Sequence, residues 1–115
     1  MTLNEKQKLF PRLISKLIEY VYSNGYELTF GEAWRSPETA ALYAKQKKGI
    51  KNSLHIDRIA FDILLFKNGK YLTDSKDYEW LGKYWESLGG ILFETCWGGR
   101  FGDGNHFSIM HDGRK

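Results

Sequence analysis

Ile59-Ala60-Phe61-Asp62-Ile63-Leu64-Leu65-Phe66 is apolar at seven of eight positions and rich in β-formers. A run of this kind predicts a central strand covered on both faces. Its one charge, Asp62, breaks the pattern. A carboxylate in an apolar strand costs roughly several kcal/mol in desolvation unless a cation or hydrogen-bond donors meet it. Asp62 therefore needs a partner, either Arg58 close by or a metal ion shared with histidines.

Working outward, Asn68-Gly69 is a tight-turn signature and Tyr71-Leu72 begins a return strand, so the central strand opens a hairpin. Thr73-Asp74-Ser75 caps a helix from about Lys76 to Ser87, with Tyr78, Leu81, Tyr84, Trp85 and Leu88 on its apolar face and Gly89-Gly90 ending it. A glycine-dense stretch from Gly98 to Asn105 precedes His106-Phe107-Ser108-Ile109-Met110, which alternates as a last strand. On the N-terminal side, Lys45 to Asn52 is polar and basic, hence a loop. Ser36-Pro37-Glu38 starts a short helix running to about Gln46. Tyr26, Leu28 and Phe30 alternate with Glu27 and Thr29 as a half-buried strand. From Asn4, apolar residues recur at three and four positions through Val21, the stripe of an amphipathic helix with Asn4 as N-cap and Asn24-Gly25 as its stop.

The chain has 115 residues, 42% of them hydrophobic, so it suits one domain with a shared core and not a disordered segment. Seventeen Lys and Arg against fourteen Asp and Glu leave a net charge of +3, too modest and scattered to indicate nucleic-acid binding. The single cysteine, Cys96, has no internal disulfide partner and reads as packing. No stretch approaches the roughly twenty apolar residues that span a bilayer, so no stable membrane association is expected. The start lacks signal-peptide features. The expectation is synthesis in the cytoplasm, whatever the later site of work.

His55 lies seven residues before Asp62, and His106 opens the last strand. An odd spacing puts His55 and Asp62 on opposite faces of a regular strand. A shared ion thus requires His55 to sit before the strand, on the bend around Asp57-Arg58. Two imidazoles and a carboxylate give zinc three ligands and leave a fourth position for water, the arrangement of hydrolytic sites. A general base is still required, and Asp103, three residues before His106 and between Gly102 and Gly104, reaches that water only where its turn directs it inward. Singly, each feature has a plainer reading: a core histidine, a buried ion pair of Asp62 with Arg58, a turn aspartate, an Arg35 pairing with a nearby acid. His111 reads as a surface residue.

The segments Ser53-Leu54-His55-Ile56-Asp57-Arg58-Ile59-Ala60-Phe61-Asp62 and Gly102-Asp103-Gly104-Asn105-His106-Phe107-Ser108 resemble the metallopeptidases that include D-alanyl-D-alanine carboxypeptidases, vancomycin-resistance dipeptidases and phage L-alanyl-D-glutamate endolysins. That signature is S-x-H, an aspartate seven residues on, and an acid three before a second histidine. Gly31-Glu32-Ala33-Trp34-Arg35-Ser36 is similar to the family's strand-end G-x-x-[YW]-R-[ST]. The resemblance implies His55, Asp62 and His106 as zinc ligands, Asp103 as catalytic base, and Arg35 and Ser53 as substrate and oxyanion contacts. Many members carry glycine where this chain has Arg58, and the dipeptidase branch has glutamate where it has Asp103, which tilts the comparison towards the endolysins.

The expectation is an α+β fold over residues 1–115, a single zinc peptidase domain of the hedgehog/DD-peptidase type. Two or three helices pack on a small, mainly antiparallel sheet with a Zn2+ cleft at one end. The resemblance implies a monomeric peptidoglycan hydrolase cutting the stem peptide between L-alanine and D-glutamate, in the manner of a phage enzyme that reaches the wall after release. The alternatives are a D-alanyl-D-alanine carboxypeptidase or dipeptidase, or a non-catalytic wall-binding module.

Overall fold

The computed structural model describes residues 1–115. Helix α1 spans Leu3–Ser23 and buries Phe10, Leu13, Ile14, Leu17 and Val21, the stripe its periodicity predicts. It begins earlier than expected. Thr2, not Asn4, is the N-cap, and its side chain and Glu5 form a reciprocal capping box. Asn4 instead donates to Gln7 at 3.3 Å. Strand β1, Glu27–Phe30, follows the left-handed Gly25, and helix α2, Pro37–Lys45, is capped by Ser36, whose hydroxyl accepts from the Thr39 amide.

Strand β2, Ala60–Lys67, is the centre of the sheet. Ala60, Ile63 and Leu65 are buried while Phe61, Asp62, Leu64 and Phe66 are partly open, so the burial alternates only from Ile63 onward. The two-faced burial expected of it is not found: α1 and its neighbours cover one face, and the other is left accessible in part. The turn at Asn68 and Gly69 takes positive φ at both residues, which matches the twist of a two-residue hairpin, and β3 is only Lys70–Tyr71. The third helix starts as a 3-10 turn, Ser75–Tyr78, without a side-chain cap, and continues as α3, Glu79–Ser87. Tyr78 sits on this join with its hydroxyl donating to the Leu72 carbonyl and accepting from the Leu65 amide, so the hairpin and α3 are tied together. Strand β4, Thr95–Trp97, is too short to show alternation and was not predicted. Strand β5 is His106–Ile109.

The sheet is antiparallel in the order β1-β2-β5-β4, with β3 also pairing β2. The fold is α+β, five strands with three α-helices. Sixteen buried apolar residues from α1, α3 with its leading 3-10 turn, the sheet and the turn before β2 make one core. At its centre Trp85 meets Phe10 and Phe107 edge-on, and its indole nitrogen donates to the Cys96 and Ser108 carbonyls. Cys96 is buried, and that burial pushes its thiol up to about 11, so it is unreactive packing at neutral pH. No helix is long and apolar enough to cross a membrane.

Candidate metal centre

The β2–β5 register sets Asp62 directly opposite His106. In an antiparallel pair, opposed residues share a face, so the strands alone bring the carboxylate to the imidazole. His55 comes from outside the sheet. Residues 54–58 form turns before β2 begins, which frees His55 from the strand's alternation and meets the condition its spacing imposed. Its Nε2 lies 3.2 Å from Asp62 Oδ1, and His106 Nδ1 lies 3.4 Å from the same oxygen. One donor atom from each residue falls within 4.8 Å of the others.

The turn that places His55 is fixed from several sides. The Ser53 hydroxyl accepts from the His55 amide at 3.1 Å, the Arg35 amide donates to the His55 carbonyl, and Gln7 of α1 donates to the Asp57 carbonyl. Arg58 ends the turn with φ +60, a left-handed conformation that favours glycine. It does not pair with Asp62. Its guanidinium lies over Trp34, 4.8 Å from the ring, and this stacking offsets part of the backbone cost.

His55 and His106 are buried, and Asp62 is half-buried. Burial by itself would raise the Asp62 carboxyl, but the His106 and His55 imidazoles close against it prevail and hold it at about 2. It is therefore an anion at any working pH. Three of the four buried side-chain polar atoms that lack a hydrogen-bond partner belong to this cluster: His55 Nδ1, Asp62 Oδ1 and His106 Nε2. Buried polar atoms are nearly always satisfied, and a cation shared by the three side chains would supply what Asp62 Oδ1 lacks. Two nitrogens, one carboxylate oxygen and an open side match the donor set of a three-ligand zinc site.

Around the cluster runs a cleft of about 290 Å3 whose wall includes Arg35, Ser53, Phe101 and Asp103. Asp103 is carried by a turn tied at each end: its amide donates to the Gly98 carbonyl, its carbonyl accepts from His106, and Trp97 donates to Gly104 at 2.7 Å. The chain passes so closely here that a Cβ on Gly98 would stand 2.3 Å from the Asp103 carbonyl oxygen. The Asp103 carboxyl is raised, chiefly by loss of hydration in the cleft wall, with the Asp62 charge adding and His106 opposing. Arg35 is mostly buried, with its guanidinium 5.1 Å from the Tyr43 ring centre.

The structure also places a residue that sequence reasoning passed over. Glu32 Oε1 accepts from Arg35 Nε at 2.6 Å and lies 3.7 Å from the unpartnered His55 Nδ1. Its backbone is bound to the strand that carries Asp62, since the Asp62 amide donates to the Glu32 carbonyl at 2.9 Å. His111, expected on the surface, is instead half-buried, with Lys6 Nζ 3.1 Å from its Nδ1.

No protein-family model matches the sequence, and no curated protein matches it. Among solved structures the chain is similar to the crystal structure of the Serratia marcescens L-Ala D-Glu endopeptidase ChiX, with a TM-score of 0.68 over 93% of this chain and 85% of that one. Sequence identity is 17%. The likeness is one of fold.

Proposed function

We propose that residues 1–115 are a zinc-dependent peptidase domain acting on the stem peptide of peptidoglycan, and that the bond cut lies between L-alanine and D-glutamate. The observation that carries this reading is the convergence of His55, Asp62 and His106 inside a cleft that also presents an acid, Asp103, and a largely buried arginine, Arg35. The fold shared with an L-Ala D-Glu endopeptidase supports the choice of bond.

A zinc ion held by His55, Asp62 and His106 supplies an acidified water and a Lewis acid for the scissile carbonyl. The chain's own groups do the rest. Asp103, as a carboxylate, takes the proton from the attacking water and then returns it to the leaving amine. Its raised pKa suits a group that must both accept and give a proton. Arg35, held by Glu32 through Nε, has its remaining guanidinium N–H groups available to orient a substrate carbonyl or carboxylate. Ser53 accepts from the His55 amide and keeps its own proton free to donate into the cleft.

The test is metal analysis of purified protein together with digestion of purified cell walls. Wild-type protein is expected to release fragments cut after L-alanine, read by mass spectrometry. Asp103→Ala is expected to bind zinc and fold as wild type while losing turnover by roughly 100-fold or more. Digestion by Asp103→Ala at the wild-type rate overturns the assigned base. Release of terminal D-alanine would instead identify a carboxypeptidase.

A further inference from the structure

Across β2 from the metal centre lies a second cavity, of about 370 Å3. Phe61 lines it while the next residue, Asp62, lines the metal cleft, and successive residues of a strand point to opposite faces. The two cavities share no lining residue. Helix α1 supplies Phe10, Pro11, Ile14 and Ile18, and Trp34 and Phe61 complete the apolar wall. The Trp34 indole N–H already donates to the Ile56 carbonyl at 3.2 Å, and the Ser15 hydroxyl to the Arg12 carbonyl at 2.7 Å. Arg58 is then the one charged residue of the lining. It is exposed, so it stands at the cavity's mouth. Its guanidinium lies 4.8 Å from the Trp34 ring centre and forms no ion pair with any carboxylate.

Two residues of this wall are poorly suited to the backbone they occupy. Arg58 has φ +60, which glycine adopts freely and other residues do not. Pro11 sits inside α1, where it has no N–H to give to the helix. Departures from local rules that meet at one cavity point to a use for that cavity beyond stability. The volume lies in the range of small-ligand pockets. Among the large exposed apolar side chains only Trp34 lines it, with Phe30 edge-on to its Phe61 at 5.1 Å between ring centres. Two partly exposed rings make a small patch beside the roughly 800 Å2 per partner that stable protein interfaces bury.

We propose that this cavity binds a small amphipathic anion, an apolar body carrying a single carboxylate. The body lies between α1 and Phe61, and the carboxylate pairs with Arg58. Charge complementarity selects this occupant: a guanidinium fork takes a carboxylate through two parallel hydrogen bonds, and the indole beneath it holds the fork in place. A neutral apolar ligand leaves that cation unused, and a cationic one is repelled by it. The site is independent of whether the metal centre cleaves peptides.

The probes are 2-naphthylacetate and its neutral twin 2-naphthylacetamide, titrated into the zinc-loaded full chain and followed by proton–nitrogen NMR. Wild type is expected to bind the carboxylate with a Kd on the order of 1 mM or below. The amide should bind roughly three- to tenfold more weakly, with the difference shrinking as salt is added. Shifts should centre on the Trp34 indole and on the amides of Ala33, Arg58 and Phe61, not on Asp103 and His106. Arg58→Gly should bind both probes alike, at the affinity of the amide. Arg58→Lys, which keeps the charge without the fork, should retain part of the preference and serves the test if the glycine variant fails to fold. Ala33→Phe adds a ring to an exposed residue of the lining and should weaken both probes. Equal affinities in wild type, or a preference that survives Arg58→Gly, overturns the site. So do shifts centred on Asp103 and His106, which would put the carboxylate on the metal. Absence of saturable binding overturns it as well, and sedimentation of the chain with and without phosphatidylglycerol vesicles then shows whether a membrane or a second copy covers this face instead.

Discussion

His55 has two ring nitrogens, and the fold assigns them to different neighbours. Nε2 faces Asp62 at 3.2 Å, and Nδ1 faces Glu32 at 3.7 Å. For Nε2 to offer a lone pair to a metal, Nδ1 must carry the proton, and Glu32, just beyond hydrogen-bond range of it, is the carboxylate that a small shift would make its acceptor. Glu32→Ala should therefore weaken metal affinity by roughly 10- to 100-fold, measured by competition with a chromophoric chelator; an unchanged affinity would show that Glu32 serves Arg35 alone. Asp62 gives a second test, in metal-free protein. Its folded pKa of about 2 is below the ordinary 3.8, so its ionised form stabilises the fold above pH 3.8, and that contribution is lost as the pH falls towards 2. The shift corresponds to roughly 2 kcal/mol. Urea unfolding in chelator is expected to show wild type losing about that much more stability than Asp62→Asn between pH 5 and pH 2, and parallel curves would refute it.

The elements matter because the site is made where they cross. Leaving β1, the chain passes over Asp62 through Gly31, whose amide donates to the Asp62 carbonyl at 2.8 Å. A Cβ at position 31 would lie 2.8 Å from the Asp62 Cβ, too near for either side chain to stay in place. Gly31→Ala is expected to push β1 from β2 and displace a metal ligand, lowering both the unfolding midpoint, by roughly 1–3 kcal/mol of stability, and the zinc stoichiometry; full zinc binding with an unchanged midpoint would contradict it. This crossing also marks how far the sequence could be read. Helix periodicity, the Asn68-Gly69 hairpin and the Ser36-Pro37 helix start are local signals, and each appears where its residues predict. The spacing of His55, Asp62 and His106 named three residues that the fold does bring together, because their order follows strand and turn. Glu32 carries no such signal, since its position against His55 arises only when β1 pairs with β2. Thr2 displaced Asn4 as cap because both residue types cap and both have a partner three residues on, which periodicity cannot separate. Two-faced burial of β2 was overread from its apolar composition, which does not say how many faces have a helix to cover them.

Across the whole molecule, segments distant in sequence grip the turn that carries His55. Gln7 of α1 holds the Asp57 carbonyl, and Arg114 reaches the Asp57 carboxylate and the Asn52 carbonyl. The turn that carries His55 is therefore ordered by tertiary contacts added to its own hydrogen bonds, and part of its order depends on the whole fold being intact. Metal binding and folding must then be linked: an ion that binds only the folded chain stabilises it by about 2.7 kcal/mol at a hundredfold excess over Kd, or roughly 10 °C in Tm for a chain of this size. Zinc added to chelator-treated wild type is expected to give that rise, and His55→Ala to abolish it. Arg114→Ala separates bracing of the turn from general stability. Loosening the turn should cost roughly three- to tenfold in metal affinity measured well below the unfolding temperature, because the free protein must then reorder the turn each time an ion binds. If Arg114→Ala lowers the metal-free Tm but leaves that affinity untouched, the clamp holds the chain together without positioning His55.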